Sequence, residues 1–330
     1  MNTSTLNILN AESLDYSSAA REIVSGVGDL QESDLSRSEL LGSLEKVDVL
    51  IVRLRNQINR EVIDAAPRLK IIITATTGLD HIDMSYAAEK GILVLSLKGE
   101  IDFLRSIPAT AEHTWGLLLA LIRHLPWAYQ SVLLGQWDRD RFRGRDLAGR
   151  TLGIVGLGRI GEKIAHYGQA FGMNVIAYDP YRKDWISTVE RISSLKELCQ
   201  KSEIFTLHVP LNPETKNLIG AQEISWLSSE AVLINTARGA VLKEAALLEA
   251  LQNRRLAGAA LDVISDETQS NRLTTNSLID YARSHQNLLL SPHIGGATID
   301  SMHATEIFMA NKLVQTVKSI PFDRRPEAKR

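Results

Sequence analysis

The chain has 330 residues, 44% of them hydrophobic, a formal net charge of -2 and one cysteine, Cys199. The length and composition predict two folded domains and exclude an intrinsically disordered chain, while the small net charge gives no whole-chain electrostatic footprint for nucleic acid. One cysteine excludes an intrachain disulfide, and neither a signal peptide nor a membrane-spanning apolar run is visible, so we expect a cytoplasmic protein with no membrane partner.

Short apolar runs alternate with helical patterns in the first third of the chain. Three runs are predicted strands buried on both faces: VDVLIVR (47–53), LKIIIT (69–74) and GILVL (91–95). This alternation is typical of a parallel sheet covered by helices. A longer helix is predicted over residues 108–126, where Pro108 opens the helix and Pro126 ends it.

A second alternating series follows this helix. Its predicted strands are TLGIVG (151–156), MNVIAYD (173–179), SEIFTLHV (202–209), EAVLINT (230–236), LAGAALDV (256–263) and NLLLSP (287–292). Helical patterns such as residues 243–253 separate these strands, and a last helix is predicted over residues 299–319. We therefore predict two α/β units, the second inserted into the first, to which the last helix returns.

The string GIVGLGRIG has the spacing of a dinucleotide-binding loop. Gly156, Gly158 and Gly161 stand in a G-x-G-x-x-G pattern between a predicted strand and a predicted amphipathic helix. The first glycine permits a tight turn, the second lets a pyrophosphate approach the backbone, and the third lets helix and strand pack closely. The helix N-terminus then offers free N–H groups and the positive end of its dipole to the phosphates.

An acidic residue follows at the distance that such sites require. Asp179 ends the next predicted strand, 18 residues after Gly161, where it can accept hydrogen bonds from both ribose hydroxyls and repel a 2′-phosphate. We therefore predict NAD as the cofactor. Arg182 and Lys183 follow closely, so the sequence leaves NADP open.

Reactive side chains follow three other predicted strands. Arg238 lies in INTARG, Asp262 lies in LDVISDE with Glu267 five residues later, and His293 lies in SPHIGG. Ligands of a doubly wound sheet bind beyond the carboxyl ends of its strands, so we expect these four residues where a nicotinamide would lie. Each also has an ordinary explanation, such as a surface ion pair or a hydrogen bond at a strand end.

These residue types suit hydride transfer to a carbonyl group. Such a reaction needs positive charge to polarise the oxygen and a proton donor for the alkoxide. Arg238 suits the first role because its planar guanidinium can hold a carboxylate and a carbonyl oxygen together. His293 suits the second role, and Glu267 at its far ring nitrogen would stabilise the charged imidazolium.

Longer strings in the chain carry a family resemblance from about residue 50 to 318. They are TGLDHID (77–83), AEHT (111–114), LAGRTLGIVGLGRIG (147–161), LHVPLNPETKNLI (207–219), INTARG (234–239), ALDV (260–263) and SPHIGGAT (291–298). By these strings the chain resembles the D-isomer-specific 2-hydroxyacid dehydrogenase family, and in particular its short phosphoglycerate dehydrogenase-like members.

This resemblance implies an α/β fold with two Rossmann-like, doubly wound parallel-sheet domains. An NAD-binding domain of residues 106–298 would be inserted into a flavodoxin-like substrate domain of residues 1–105 and 299–330. The family also implies a homodimer formed through the helix at 108–126 and the arm that follows. The chain ends soon after its last predicted helix, so we expect no regulatory domain of the kind that longer phosphoglycerate dehydrogenases carry.

The resemblance also implies roles for individual residues. Arg238, Glu267 and His293 match the catalytic set that interconverts a D-2-hydroxy acid and its 2-oxo acid. The implied cofactor site is lined by Gly156, Gly158, Arg159, Ile160, Gly161, Asp179, His208, Pro210, Thr236, Ala237, Asp262, Gly295 and Gly296.

Two features of the first unit are candidates for substrate binding. In the family, a loop like TTGLD presents the N–H groups of Gly78 and Leu79 to the substrate carboxylate, and such a turn is a natural anion nest. Arg53, with Arg55 nearby, matches an arginine that meets the distal anionic group in phosphoglycerate-using relatives. A plain turn and a surface salt bridge remain the alternatives.

The sequence departs from the family pattern after Asp262. The family usually has phenylalanine after DV and proline after the catalytic glutamate, where this chain has Ile264 and Thr268. Asp266 directly precedes Glu267, which leaves the glutamate assignment open. Two other functions also stay open: phosphite or formate oxidation, although Glu267 argues against formate, and an NAD-sensing, co-repressor-like binding protein.

Overall fold

The structure, a computed structural model, describes residues 5–265, 267 and 275–319. It separates into two compact units. One comprises the described residues of Met1–Leu104 and Ile299–Arg330, and the other those of Arg105–Thr298. Within the described ranges, no helix combines the length and the apolar character needed to span a membrane.

The first unit is built around a five-stranded parallel sheet. Its strands are β1 (Leu6–Asn10), β2 (Gly28–Glu32), β3 (Val49–Val52), β4 (Ile71–Thr74) and β5 (Leu93–Leu95). The order β2-β1-β3-β4-β5 is the flavodoxin-like order. Its helices are α1 (Ser18–Ser25), α2 (Arg37–Ser43), α3 (Arg60–Asp64), α4 (Met84–Glu89), α5 (Ile101–Arg105), whose last residue is the first of the second unit, and the C-terminal α13 (Ile299–Ser319).

The second unit contains a seven-stranded parallel sheet in the order β12-β11-β10-β9-β6-β7-β8. Its strands are β6 (Thr151–Val155), β7 (Asn174–Tyr178), β8 (Glu190–Arg191), β9 (Ile204–Leu207), β10 (Val232–Asn235), β11 (Gly258–Leu261) and β12 (Leu288–Leu290). Its helices are α6 (Ala109–Ile122), α7 (Leu125–Leu133), α8 (Arg159–Ala170), α9 (Leu195–Lys201), α10 (Ala221–Trp226), α11 (Glu244–Gln252) and α12 (Ser277–Ala282), with two 3-10 turns at Asp140–Phe142 and Gly239–Val241. The prediction of two doubly wound parallel-sheet units is confirmed.

Both faces of the second sheet are covered by helices, as the mainly apolar sequences of its strands other than β8 require. Successive residues of β10 point to opposite faces, so Leu233 packs with Leu198 and Leu247 of α9 and α11. Val232 and Ile234 belong to the other core, which includes the apolar side chains of α6 and α8. This double burial explains why the strands lack a polar alternation.

The structure differs from the sequence prediction in the region of the helix expected over residues 108–126. The helix predicted over residues 108–126 is two helices, because α6 ends at Ile122 and His124 adopts a left-handed backbone with φ of 54°. Pro126 lies in the first turn of α7, where its missing N–H and fixed φ are tolerated, and therefore does not end a helix.

A buried ion pair joins the C-terminal helix to the first sheet. Glu306 of α13 is 3% exposed and pairs with the guanidinium of Arg53, which directly follows β3. Its other carboxylate oxygen accepts a 2.8 Å hydrogen bond from the backbone N–H of Ser17 at the start of α1. α13 packs along α1, so this carboxylate fixes the helix from two directions.

We expect Glu306→Gln to lower the free energy of opening α13 by about 3 kcal/mol, because breaking a buried pair leaves a charge without its partner. Hydrogen exchange of the α1 and α13 amides measures this change. A matched control is Glu61→Gln, which breaks the exposed Arg37–Glu61 pair and should cost less than about 1 kcal/mol. Equal effects of the two substitutions would contradict the anchoring role.

Candidate active site

Two positions of the loop between β6 and α8 require glycine, because other backbone atoms lie close to them. Gly156 has φ of 87°, and a Cβ atom there would lie 2.6 Å from the carbonyl oxygen of His208. A Cβ atom at Gly161 would lie 2.2 Å from the carbonyl oxygen of Gly156. Only glycine fits at either position, so the strand, the turn and the helix can pack as a phosphate-binding loop demands.

The middle glycine of this loop faces open space. A Cβ atom at Gly158 would meet no atom within 4 Å, and the residue is exposed at the N-cap of the 12-residue α8. Arg159 and Ile160 follow in the first turn, and partial burial lowers the pKa of the Arg159 guanidinium. An open helix N-terminus with a positive side chain beside it fits a pyrophosphate.

Asp179 is fixed beside the glycine loop by backbone amides. One carboxylate oxygen accepts from the N–H of Leu157 at 3.0 Å. The other accepts from Tyr181 at 3.0 Å and from Arg182 at 3.1 Å. A carboxylate offers about four lone-pair directions, so about one remains for a ligand hydroxyl.

The buried carboxylate of Asp262 organises the turn after β12. Asp262 is 1% exposed and follows β11, which pairs in parallel with β12. Its Oδ1 accepts from the hydroxyl of Ser291 at 2.6 Å and from the N–H of Ile294 at 2.9 Å. Its Oδ2 accepts from the N–H of Gly295 at 2.7 Å, an approach that a Cβ atom at Gly295 would obstruct.

His293 lies within this turn in a left-handed conformation with φ of 54°. Neither Gly295 nor Gly296 has a positive φ, so the left-handed residue of this turn is the histidine itself. The His293 N–H donates to the carbonyl oxygen of Asp262 at 2.8 Å. A positive φ costs a non-glycine residue about 1–2 kcal/mol, which the hydrogen bonds to Asp262 offset.

The imidazole of His293 contacts the carboxylate of Glu267. His293 Nδ1 makes a short contact with Glu267 Oε1, and the two side chains are 26% and 25% exposed. The other oxygen, Glu267 Oε2, accepts from the N–H of Ile264 at 3.3 Å. This pairing leaves Nε2 as the ring nitrogen available to a ligand.

Arg238 lies in a tight turn directly after β10. Asn235 is fully buried, and its amide donates to the carbonyl oxygen of Arg238 and accepts from the N–H of Ala237, both at 3.0 Å. A Cβ atom at Gly239 would lie 2.1 Å from the carbonyl carbon of Ile264. This glycine therefore lets the Arg238 turn pack against the segment that leads to Glu267.

Other predicted cofactor residues lie at the ends of β9 and β10. His208 Nε2 lies 2.9 Å from the hydroxyl of Thr206, and burial lowers the pKa of His208 to about 3, so the ring is neutral. The carbonyl oxygen of Pro210 accepts from Thr215 at 2.6 Å. The Thr236 hydroxyl lies 2.7 Å from that of Thr114.

The predicted substrate-binding residues belong to the first unit. Gly78 and Leu79 are half-buried in the loop after β4, where the Thr76 hydroxyl donates to the carbonyl oxygen of Gly78 at 2.8 Å. Arg53 donates to the carbonyl oxygen of Leu14 at 2.8 Å in addition to its pair with Glu306. Of the polar stretch around Glu267, Asp266 and residues 268–274 lie outside the described residues.

His113 and Ser291 complete the surroundings of Asp262, and neither is among the predicted site residues. His113 Nε2, on α6, lies 3.0 Å from both Asp262 Oδ1 and the Ser291 hydroxyl. An ionised carboxylate only accepts, so Nε2 carries the proton of that hydrogen bond. Both residues lie in strings that resemble the family, AEHT and SPHIGGAT, and these strings are the sequence feature that could have indicated them as site residues.

Comparison with known families gives a match over this unit. The model of the D-isomer specific 2-hydroxyacid dehydrogenase NAD-binding domain matches residues 115–295. The matched range contains the glycine loop, Asp179, Arg238, Glu267 and His293.

Individual proteins match over nearly the whole chain. The chain is 37% identical over 303 residues to the D-3-phosphoglycerate dehydrogenase of Methanocaldococcus jannaschii, covering 91% of this chain but 55% of that protein. It is 36% identical over 279 residues to the hydroxypyruvate reductase of Thermotoga maritima, covering 84% and 88% of the two chains. The chain thus spans about half the length of the phosphoglycerate dehydrogenase that it matches.

A solved structure shows the same fold. The D-lactate dehydrogenase from Aquifex aeolicus, complexed with NAD and lactic acid, superimposes with a TM-score of 0.79 at 29% identity. The alignment covers 95% of this chain and 96% of that one.

Proposed function

The chain belongs to the D-isomer-specific 2-hydroxyacid dehydrogenase family, and we propose that it interconverts a D-2-hydroxy acid and its 2-oxo acid with NAD as the cofactor. The contact between His293 and Glu267 beyond β12, in the unit that carries the glycine loop, is the observation that carries this proposal. A histidine with one nitrogen on a carboxylate is equipped for proton transfer.

NAD is held, in this proposal, by the loop and strand ends of the second unit. Gly158 and the first turn of α8 bind the pyrophosphate, and Asp179 accepts from the ribose. The open space at Gly158 and the amide-fixed carboxylate of Asp179 support this assignment. When bound, the reduced nicotinamide supplies the hydride.

His293 Nε2 donates a proton to the substrate oxygen as the carbonyl is reduced. Glu267 holds the ring through Nδ1 and stabilises the imidazolium before transfer. In the direction of oxidation the same nitrogen accepts the hydroxyl proton. Arg238 stays charged throughout, so its guanidinium polarises the carbonyl oxygen and binds the carboxylate in either direction.

The first unit serves as the substrate domain, with the amides of Gly78 and Leu79 binding the substrate carboxylate. No described group of the chain accepts a hydrogen bond from either amide, which supports this role. Arg53 is the candidate for a distal anionic group, and its guanidinium would then bind the ligand while paired with Glu306. Because similar proteins are a D-3-phosphoglycerate dehydrogenase and a hydroxypyruvate reductase, hydroxypyruvate and 3-phosphohydroxypyruvate are the first substrates to test.

We expect His293→Ala to reduce kcat for 2-oxo acid reduction by about 10²–10⁴-fold while NADH still binds, because the proton donor is lost. Oxidation of NADH is followed by absorbance with hydroxypyruvate, glyoxylate, 2-oxoglutarate and 3-phosphohydroxypyruvate.

The matched control is His166→Ala, which removes an exposed histidine of α8 and should leave kcat unchanged. Unchanged kcat in His293→Ala would refute the assignment. NADH binding without turnover of any acid by the wild type would favour the NAD-sensing binding protein instead.

We also propose that a second copy of this chain covers α7. The helix and the segment after it expose several large apolar side chains, of which Leu134 and Trp137 are 76% and 89% exposed, and the others are Leu125, Tyr129, Val132 and Leu133. Within α7 only Ser131 is buried. Contiguous apolar exposure of this kind is typical of an interface between subunits.

Light scattering during size-exclusion chromatography should therefore give twice the chain mass of 36.5 kDa. Leu133→Asp and Trp137→Asp should each shift the protein toward the monomer, because a charge in the centre of an apolar interface is desolvated. Met84→Asp, at an exposed apolar residue of the first unit, is the control. A wild-type monomer would reject the dimer.

A further inference from the structure

Arg182 lies against the glycine loop and is held there by an acidic side chain. Its guanidinium donates to the carbonyl oxygen of Leu157 and pairs with Glu162 Oε1 at 2.6 Å. Its backbone N–H donates to Asp179. The arginine, the glycine loop and the ribose-binding carboxylate therefore form one cluster at the junction of β6, α8 and β7.

This cluster holds two opposite signals for the cofactor. In dinucleotide-binding domains, an acidic residue after the strand that corresponds to β7 binds the ribose hydroxyls of NAD. An arginine nearby instead accommodates the 2′-phosphate of NADP. The chain has both, as Asp179 and Arg182. The hydrogen-bond partners of the two side chains therefore decide which signal prevails.

Asp179 is fixed in the orientation that favours NAD. Three backbone amides hold its carboxylate, so the side chain cannot turn away from a 2′-phosphate without leaving those N–H groups unpaired. A 2′-phosphate would therefore meet a negative charge that stays in place.

The positive charge of Arg182 is already paired with the carboxylate of Glu162. Its side chain is 20% exposed and that of Glu162 is 31% exposed, so water screens this pair less than the fully exposed pairs of the surface. A phosphate that recruits Arg182 must compete with the Glu162 carboxylate and the Leu157 carbonyl oxygen for the same N–H groups.

We propose that Glu162 is a specificity-determining residue, which selects NAD over NADP by holding Arg182 against the glycine loop. The inference rests on the proposed function, in that the loop binds a nicotinamide dinucleotide. Glu162 needs no contact with the cofactor for this effect, because it acts through the position and charge of Arg182.

The experiment measures the Kd of NADH and of NADPH by nicotinamide fluorescence, without substrate. In Glu162→Gln, the ratio of the NADPH Kd to the NADH Kd should fall roughly tenfold, since a charge-assisted hydrogen bond to the 2′-phosphate becomes available. Adding Arg182→Met to this variant should restore the wild-type ratio. The matched control is Glu230→Gln, which removes the same charge from the distant, exposed Arg145–Glu230 pair and should leave the ratio unchanged.

Each outcome decides the inference. An unchanged ratio in Glu162→Gln, with NADH binding retained, would overturn this inference and leave the proposed function intact. A lowered ratio that persists after Arg182→Met would also overturn it, because the effect would then come from the general charge or from Lys183. A wild type that binds neither dinucleotide would overturn the proposed function as well.

Discussion

The buried carboxylate of Asp262 is the constraint on which the candidate active site depends. It accepts hydrogen bonds from Ser291, Ile294 and Gly295 and lies 3.0 Å from His113 Nε2. The Asp262 side chain can be buried to 1% exposure only because these donors replace the hydrogen bonds that water would make to its carboxylate. The same bonds hold the turn in which His293 keeps a left-handed backbone. Asp262 therefore fixes the backbone around His293, and the family resemblance also predicts that it lines the cofactor site.

The sheet brings the remaining groups to this carboxylate. β10, β11 and β12 run in parallel and in register, so the segments that follow them leave the same edge of the sheet. Arg238 follows the first of these strands, the segment to Glu267 the second, and His293 the third. Gly239 lets the first two segments touch, so the order of the strands explains why candidate site residues spread over 56 positions follow neighbouring strands at one edge of the sheet.

Sequence reasoning predicts the parts of this site that depend on local pattern. The glycine spacing, Asp179 and the apolar strands follow from residue type and period, and the pairing of Glu267 with His293 follows from the chemistry. The edge strand β2 is not predicted, because its polar sequence lacks the apolar run of a buried strand. Pro126 is assigned to the end of a helix, because a proline is compatible both with a helix end and with the first turn of a helix. Partners distant in sequence, such as Glu306 for Arg53 at a separation of 253, leave no local signal. The left-handed backbone of His293 is likewise set by tertiary hydrogen bonds.

A crystal structure with NAD and oxamate, a non-reducible analogue of a 2-oxo acid, would show whether the turn held by Asp262 presents His293 to the substrate oxygen. We expect His293 Nε2 within about 2.6–3.2 Å of the ligand carbonyl oxygen, with Nδ1 on Glu267. We also expect the Asp262 carboxylate to keep its hydrogen bonds to the Ile294 and Gly295 amides. An imidazole turned away from the bound ligand, or an Asp262 carboxylate that leaves the turn, would contradict this expectation.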